Sequence, residues 1–213
     1  MRLYFHYCSF GFSNCYILGS DENAEGGVPN ASIPREAIVI DPGSMDDKIL
    51  NYIENREYAL RAVLVTHNHE THSHGLRTLK KIYDADIYCV SPVAGEVKTN
   101  LLRDRDILTI GGFRIEVITV PGHSMDCAVF RIERLLFTGD VLSAGLVGST
   151  ANVYAAANQM NALQSKIFSL PGDYTVLPGH GPPSTLEAEK RYNAGINSFV
   201  ENMKKRPVFK MGI

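Results

Sequence analysis

The sequence has neither a long apolar run nor an excess of basic residues, and these two absences exclude whole classes of function. No stretch approaches the ~18 apolar residues of a membrane-spanning helix, so we expect no transmembrane segment. Its 21 Lys and Arg against 23 Asp and Glu give a formal charge of −2, unlike a protein that binds a nucleic-acid backbone. We therefore expect a small-molecule substrate, with no nucleic acid and no membrane as partner.

Cysteine is also scarce and carries no metal-binding or redox motif. The four cysteines are scattered, and none forms a C-x-x-C pair. The first 20 residues lack the apolar core and the small-residue cleavage site of a signal peptide. Reduced thiols are the default in a chain without an export signal, so we predict a cytoplasmic protein.

The order of apolar patterns predicts one α+β domain over residues 1–213. Two strands open the chain, strand–helix–strand units follow, short strands fill residues 107–139, and a strand–helix pair comes near the end. At 45% hydrophobic, the chain can bury a substantial core, and no linker divides it. This order predicts two mixed β-sheets packed face to face, with helices on the outer faces.

Four segments are specific enough to be tested against a structure. Residues 44–57 predict a helix with Ser44 as its N-cap, and residues 74–83 predict a second helix with Ile82 facing inward. A final helix is expected over residues 184–205. Residues 21–36 are rich in Gly, Pro and Asn and predict a long polar loop.

Residues 66–75, "THNHETHSHG", hold four of the seven histidines in the chain. His67 and His69 follow an apolar strand at positions i and i+2, which point to the same side. His72 lies at the start of the next helix and can turn back to the same place. Neutral imidazole is a preferred zinc ligand, so this spacing predicts a metal site.

Three further residues follow apolar strands in the same way. His123 lies in "VITVPGHSMD", Asp140 in "LLFTGDVL" and His180 in "YTVLPGHGPPS". A carboxylate at the end of a buried strand is costly to desolvate unless it is paired or bound to a metal. Each signal alone is weak, since turns often carry a histidine and Asp140 alone suits a helix N-cap. Together they predict that these side chains join the histidine cluster.

The segments "THNHETHSHG", "PGHS", "FTGD" and "LPGHGPPST", in this order, resemble the metallo-β-lactamase superfamily. The longer phrases "LLFTGDVLSAGLVGST" and "VLPGHGPPSTLEAEKRYN" are similar to its short glyoxalase II-like (hydroxyacylglutathione hydrolase-like) branch. The earlier segments "SNCYIL" and "IVIDPGS" also match. The resemblance implies an αββα sandwich with metals at one edge of the two sheets, and hydrolase chemistry, often on thioesters.

The resemblance also implies six metal ligands, of which Asp140 and His180 are the catalytic residues. By position, His67, His69 and His123 match the ligands of the first metal, Asp140 matches the bridging carboxylate, and His72 and His180 match ligands of the second metal.

The chain departs from the family motif at Thr71, where the family has an aspartate that completes the second site. We therefore expect one tightly bound metal and a weak second one, with zinc as the first choice and iron or manganese as alternatives. Glu70 and His74 lie close by in the sequence. Each is a candidate to replace the missing aspartate or to support a ligand.

Three functions remain open from the sequence. The first is a metal-dependent hydrolase of the glyoxalase II type, acting on a thioester or another activated ester. The second is a metal-binding scaffold in which Thr71 marks impaired catalysis. The third is a mononuclear iron oxygenase like the persulfide dioxygenases of the same superfamily, because two histidines and a carboxylate suit non-haem iron.

Overall fold

The computed structural model describes residues 1–20 and 35–197, and the fold is given for these residues. Most of the predicted polar loop, residues 21–34, and the predicted helix beyond residue 197 lie outside the described residues. Among the described residues, no helix is both long enough and apolar enough to cross a membrane.

Over residues 1–20 and 35–197, sixteen strands and five α-helices have defined bounds. The strands are β1 (Arg2–Tyr7), β2 (Asn14–Gly19), β3 (Arg35–Ile40), β4 (Tyr58–Leu64), β5 (Asp86–Cys89), β6 (Val93–Ala94), β7 (Val97–Lys98), β8 (Asn100–Leu101), β9 (Ile107–Ile110), β10 (Phe113–Thr119), β11 (Ala128–Ile132), β12 (Leu135–Gly139), β13 (Leu142–Ser143), β14 (Leu146–Val147), β15 (Thr175–Pro178) and β16 (Ser184–Thr185). The helices are α1 (Asp47–Glu54), α2 (Glu70–Ser73), α3 (Leu76–Ile82), α4 (Val153–Ala162) and α5 (Leu186–Tyr192), and a π-helical turn (Leu163–Ile167) continues α4.

Two six-stranded sheets form the centre of the molecule. The first has the strand order β1-β2-β3-β4-β5-β8 and the second the order β16-β15-β12-β11-β10-β9. Both are mixed: β3, β4, β5 and β8 run parallel, whereas β1 and β2 are antiparallel, and only the β12–β15 pair of the second sheet is parallel. The predicted sandwich of two mixed sheets is confirmed.

Three buried clusters account for the layers. Alternate residues of the strands in each sheet face the other sheet and form the central core. This core includes Tyr16, Ile38, Leu64, Phe130 and Phe137. The other face of the first sheet packs against α1 and α3, which contribute Ile49, Ile53, Leu76 and Leu79. The other face of the second sheet packs against α4, the π-helical turn and α5, which contribute Met160, Leu163, Ile167 and Leu186.

The helix boundaries differ from the predicted ones at α1. Its N-cap is Asp46, not Ser44, because the Asp46 carboxylate accepts hydrogen bonds from the backbone N–H groups of Lys48 and Ile49. The side chain of Asp46 also lies 2.7 Å from Nε2 of His6. A carboxylate at this position satisfies free N–H groups and interacts favourably with the helix dipole, so it is preferred to a serine two residues earlier.

The second predicted helix, residues 74–83, is observed as α3, Leu76–Ile82, and a separate short helix, α2, precedes it. Gly75 separates α2 from α3, and its N–H donates to the carbonyl of Pro42. A Cβ at Gly75 would lie 2.6 Å from that carbonyl oxygen, so this contact requires glycine. The prediction for Ile82 was also wrong, since its side chain is 49% exposed.

The predicted final helix is interrupted within the described residues. Its first part, α5, runs from Leu186, after the Thr185 cap, to Tyr192, and the chain is helical again at residues 194–197. The backbone of Asn193 is extended, and its buried side chain bonds to the Leu146 carbonyl and to Glu189. These side-chain hydrogen bonds compete with the helical ones and end α5.

Candidate metal centre

All six predicted metal ligands lie at the edge where strands of both sheets end. His67 follows β4, His123 follows β10, Asp140 directly follows β12 and His180 follows β15. His69 is the N-cap of α2 and His72 lies within it. Backbone hydrogen bonds of 2.8 Å tie the two sheets together here, from Ala128 to Thr66 and from Asn14 to Gly179. The ligands therefore project from a fixed frame.

The first group consists of three imidazoles and one carboxylate oxygen. Nδ1 of His69 lies 2.9 Å from Nε2 of His67 and 3.1 Å from Nε2 of His123. Oδ2 of Asp140 lies 3.8 Å from Nε2 of His67 and 3.7 Å from Nε2 of His123. Ligands at 2.0–2.1 Å from a tetrahedral zinc ion lie about 3.3 Å apart, so these spacings suit one cation.

The second group uses the other oxygen of the same carboxylate. Oδ1 of Asp140 lies 3.3 Å from Nε2 of His72 and 2.8 Å from Nδ1 of His180. We call His67, His69, His123 and Oδ2 of Asp140 the first half-site, and His72, His180 and Oδ1 of Asp140 the second half-site. Asp140 lies between them, as a bridging ligand must.

In three imidazoles, the ring nitrogen that faces away from the centre contacts another group. The ring nitrogen that faces the centre is thereby left free to bind a cation. Nδ1–H of His123 donates to the carbonyl of Ser149 at 2.8 Å. Nδ1 of His67 lies 3.2 Å from the hydroxyl of Thr66, which itself donates to Asp41. Nδ1 of His72 lies 3.2 Å from Oδ2 of Asp41. Partners of this kind orient metal-binding histidines and fix which nitrogen faces the cation.

Asp41 is thus a functional residue that the sequence analysis did not single out. It is 1% exposed and accepts hydrogen bonds of 2.7 Å from the backbone N–H and the hydroxyl of Thr66. It therefore holds both the start of the histidine segment and the ring of His72. The only signal was its place in the matching segment "IVIDPGS", which does not say what the carboxylate contacts.

Asp126 holds the same segment from the other side. Its carboxylate accepts a 2.8 Å hydrogen bond from the backbone N–H of Asn68 and a 2.6 Å hydrogen bond from the hydroxyl of Ser124. Asn68 lies between two of the predicted ligands. Asp126 therefore fixes the turn that presents His67 and His69, a role that no local pattern indicates.

Two independent observations indicate that these six side chains suit a bound cation. His72 is fully buried, yet its centre-facing nitrogen, Nε2, makes no hydrogen bond of good geometry to another described residue. Buried polar atoms of this kind are costly unless another partner, such as a metal ion, satisfies them. In addition, a Cβ at Gly179 would lie 2.4 Å from the His72 ring and 2.6 Å from Oδ1 of Asp140, so glycine leaves the ligands their space.

The charges also suit a cation in the first half-site. Burial lowers the pKa of His67 to about 2, and burial and the nearby His123 lower the pKa of His69. These imidazoles are neutral at pH 7 and present lone pairs. Burial alone would raise the pKa of Asp140, but the hydrogen bond from His180 and the nearby imidazole of His72 hold it far below its ordinary value. The carboxylate therefore stays anionic.

The second half-site has a different electrostatic balance. Burial lowers the pKa of His72, but the carboxylates of Asp41 and Asp140 outweigh burial and raise it to about 10. The hydrogen bond with Asp140 raises the pKa of His180. A cation must displace protons from these imidazoles, which makes binding here weaker and more dependent on pH.

Neither candidate substitute for the missing aspartate belongs to the two groups that could hold a metal in the described residues. The ring of His74 stacks on Phe10 with 4.2 Å between centroids, and its Nδ1 lies 3.6 Å from Glu70. The side chain of Glu70 is 75% exposed. Thr71 packs against Gly11 and its carbonyl accepts a hydrogen bond from Ser13.

Comparison with known proteins agrees with this geometry. The family model described as "Metallo-beta-lactamase superfamily" matches residues 9–180. The hydroxyacylglutathione hydrolase of Chromohalobacter salexigens is 32% identical over 148 residues, which cover 68% of this chain and 57% of that protein. The chain therefore aligns with little more than half the length of this relative. The predicted resemblance to the superfamily and to its hydroxyacylglutathione hydrolases is confirmed.

Solved structures with the same fold cover nearly the whole chain. The BLEG-1 B3 metallo-beta-lactamase is 23% identical with a TM-score of 0.78, over 92% of this chain and 99% of that one. The protein TTHA1623, solved in a di-iron-bound form, is 26% identical with a TM-score of 0.71, over 90% and 98% of the two chains. The predicted αββα sandwich is that of these proteins.

Proposed function

Since this chain belongs to the metallo-β-lactamase superfamily, we propose that it is a metal-dependent hydrolase of a thioester or another activated ester. One observation carries the proposal: the two oxygens of Asp140 face two separate sets of imidazoles. The relative described as a hydroxyacylglutathione hydrolase supports the reaction class. We extend the reaction class, but not that particular substrate, to this chain.

A divalent cation in this centre supplies Lewis acidity and a nucleophile at neutral pH. His67, His69 and His123 would hold it through their imidazoles, which the edge of the two sheets fixes in place. Asp140 would offset its charge, and its Oδ1 accepts a hydrogen bond from Nδ1 of His180 as long as no second cation takes the place of that proton. His180 is partly exposed, so this proton lies at the open side of the centre where a substrate enters.

Zinc is the cation that we propose for the first half-site. Three imidazoles and one carboxylate oxygen form a four-ligand set typical of zinc. Manganese is less suited because it prefers oxygen ligands. Iron remains the main alternative, because the relative TTHA1623 was solved in a di-iron-bound form.

An iron oxygenase is the second candidate function, because a weak second half-site leaves one tightly held metal, as in a mononuclear iron enzyme. The centre supplies the two histidines and one carboxylate that non-haem iron oxygenases use with open positions. An oxygenase would consume dioxygen in proportion to product. A hydrolase would not.

Turnover with defined metals tests the proposal. Chelated protein is reloaded with Zn²⁺, Fe²⁺ or Mn²⁺ and assayed for thiol release from a panel of acyl thioesters, and for oxygen uptake with a persulfide. We expect thiol release with Zn²⁺ and no oxygen uptake. Folded, metal-loaded protein that is inert in both assays would instead identify the chain as a metal-binding scaffold.

A further inference from the structure

The loop between β1 and β2, residues 9–13, contacts both sides of the second half-site. On one side, Phe10 stacks on His74 of the α2–α3 segment, and the hydroxyl of Ser13 donates a 2.6 Å hydrogen bond to the carbonyl of Thr71. On the other side, the carbonyl of Gly11 lies 3.2 Å from Nε2 of His180. The loop therefore bridges the helix that carries His72 and the turn that carries His180.

Gly11 packs so closely on Thr71 that no other residue fits. A Cβ at this position would lie 2.3 Å from Cγ2 and 2.9 Å from Cβ of Thr71. The φ angle of Gly11 is +65°, a left-handed conformation that favours glycine. The methyl group of Thr71 thus forms the surface on which the loop rests, although Thr71 offers no ligand to a cation.

The carbonyl of Gly11 decides which nitrogen of His180 faces the cation site. Nδ1 of His180 lies 2.8 Å from Oδ1 of Asp140, and Nε2 faces the carbonyl of Gly11. A carbonyl oxygen can only accept a hydrogen bond, so Nε2 keeps its proton when a cation takes the place of the proton on Nδ1. Histidine ligands commonly donate their outer N–H to a backbone carbonyl, which fixes both the tautomer and the ring orientation.

We propose that this loop is a positioning element of the second half-site, in which Gly11 couples Thr71 to His180. The loop rests on the methyl group of Thr71, and its carbonyl holds His180 with Nδ1 towards Asp140. This inference rests on the proposed function only in requiring that the centre binds a cation. It assigns Thr71 a supporting role at a position where the family has a ligand.

A pair of glycine variants separates this role from backbone strain. Gly11→Ala adds a methyl group that displaces the loop from Thr71. Gly112→Ala is the matched control, because Gly112 has a φ of +76° and no atom lies within 4 Å of its added Cβ. Both substitutions place alanine in a left-handed conformation, but only the first one disturbs the half-site.

The measurement is a titration of metal-free protein with Zn²⁺, in which the first and second equivalents are resolved. We expect Gly11→Ala to weaken the second equivalent by about 10- to 100-fold, the usual effect of losing a residue that supports a ligand. The first equivalent should be unchanged, and Gly112→Ala should bind like the wild type. Thr71→Ser in the Gly11→Ala background removes Cγ2 of Thr71, the atom nearest to the added Cβ. It should restore part of the affinity for the second equivalent of Zn²⁺.

Nuclear magnetic resonance of the wild-type protein tests the same inference without any variant. Long-range ¹H–¹⁵N spectra report which ring nitrogen of His180 carries the proton, and with two equivalents of Zn²⁺ bound we expect Nε2–H and no proton on Nδ1. A proton that remains on Nδ1 at two bound equivalents would overturn the proposal, as would equal second-site affinities in the two glycine variants. Failure of the wild type to bind any Zn²⁺ would overturn the proposed function itself, and that result is distinct from both.

Discussion

At the residue scale, the centre depends on carboxylates more than on any single histidine. Asp140 contributes one oxygen to each half-site, whereas Asp41 contributes to neither and orients His72 from behind. The position of Asp140 could be predicted from the sequence because its segment is distinctive. The contacts of Asp41 could not, because His72 and Thr66 lie 31 and 25 residues away along the chain.

Asp140→Asn should lower metal content and abolish hydrolysis. The amide is a neutral and weaker ligand, and it cannot offset the charge of a dication. Metal analysis and a thioester assay on the dialysed variant measure both effects. Unchanged metal content would show that Asp140 serves only as a structural residue.

Asp41→Asn should weaken the second metal while leaving the first one bound. The amide retains the shape of the side chain but removes the charge beside Nδ1 of His72, so His72 loses the group that orients it. We expect the second Zn²⁺ equivalent to weaken by about 10- to 100-fold. Asp47→Asn, an exposed change of the same chemistry in α1, is the control. Equal affinities in the two variants would contradict this role.

At the scale of elements, the strands agreed with the sequence patterns better than the helix ends did. Buried strands produce apolar runs that are visible in the sequence, as in β4 and β12. Helix ends depend on side chains that compete with the backbone, as Asp46 does at α1 and Asn193 does at α5. The division at Gly75 depends on a contact with Pro42, which is distant in sequence.

Asp46→Ala should destabilise the protein by about 1–2 kcal/mol through loss of the α1 cap. Ser44→Ala, which alters the N-cap expected from the sequence, should cost less.

Partial burial raises the pKa of Asp46, but the amide of Ile49 and the side chain of His6 outweigh this effect and lower the pKa. A lowered folded-state pKa gives stability that is present above the unfolded pKa of about 3.9 and is lost as the pH falls further.

Urea unfolding from pH 3 to 7 measures this effect. The difference between wild type and Asp46→Ala should be full above about pH 5 and should shrink below about pH 4, where the unfolded-state aspartate is protonated. A difference that does not depend on pH would show that the carboxylate charge contributes nothing.

At the scale of the whole molecule, alternation of strands and helices was enough to predict the layers, and the motifs predicted the edge where the ligands meet. The joining of the two sheets at that edge was not predictable, because Ala128–Thr66 and Asn14–Gly179 are contacts between distant segments. A single domain over residues 1–213 and a cytoplasmic location stay predictions.

The central claim is that replacement of the usual aspartate by Thr71 leaves one tight metal site. Two dications a few ångströms apart repel each other, and carboxylate charge normally offsets this repulsion. Among the described residues, Asp140 is the one carboxylate in both half-sites, and Glu70 and His74 belong to neither.

Elemental analysis of wild type and Thr71→Asp after identical dialysis against a fixed low concentration of Zn²⁺ tests this claim most directly. We predict close to one metal per chain in the wild type, held by His67, His69, His123 and Asp140, and a value approaching two in the variant. Two tightly held metals in the wild type, or no increase in the variant, would contradict the account.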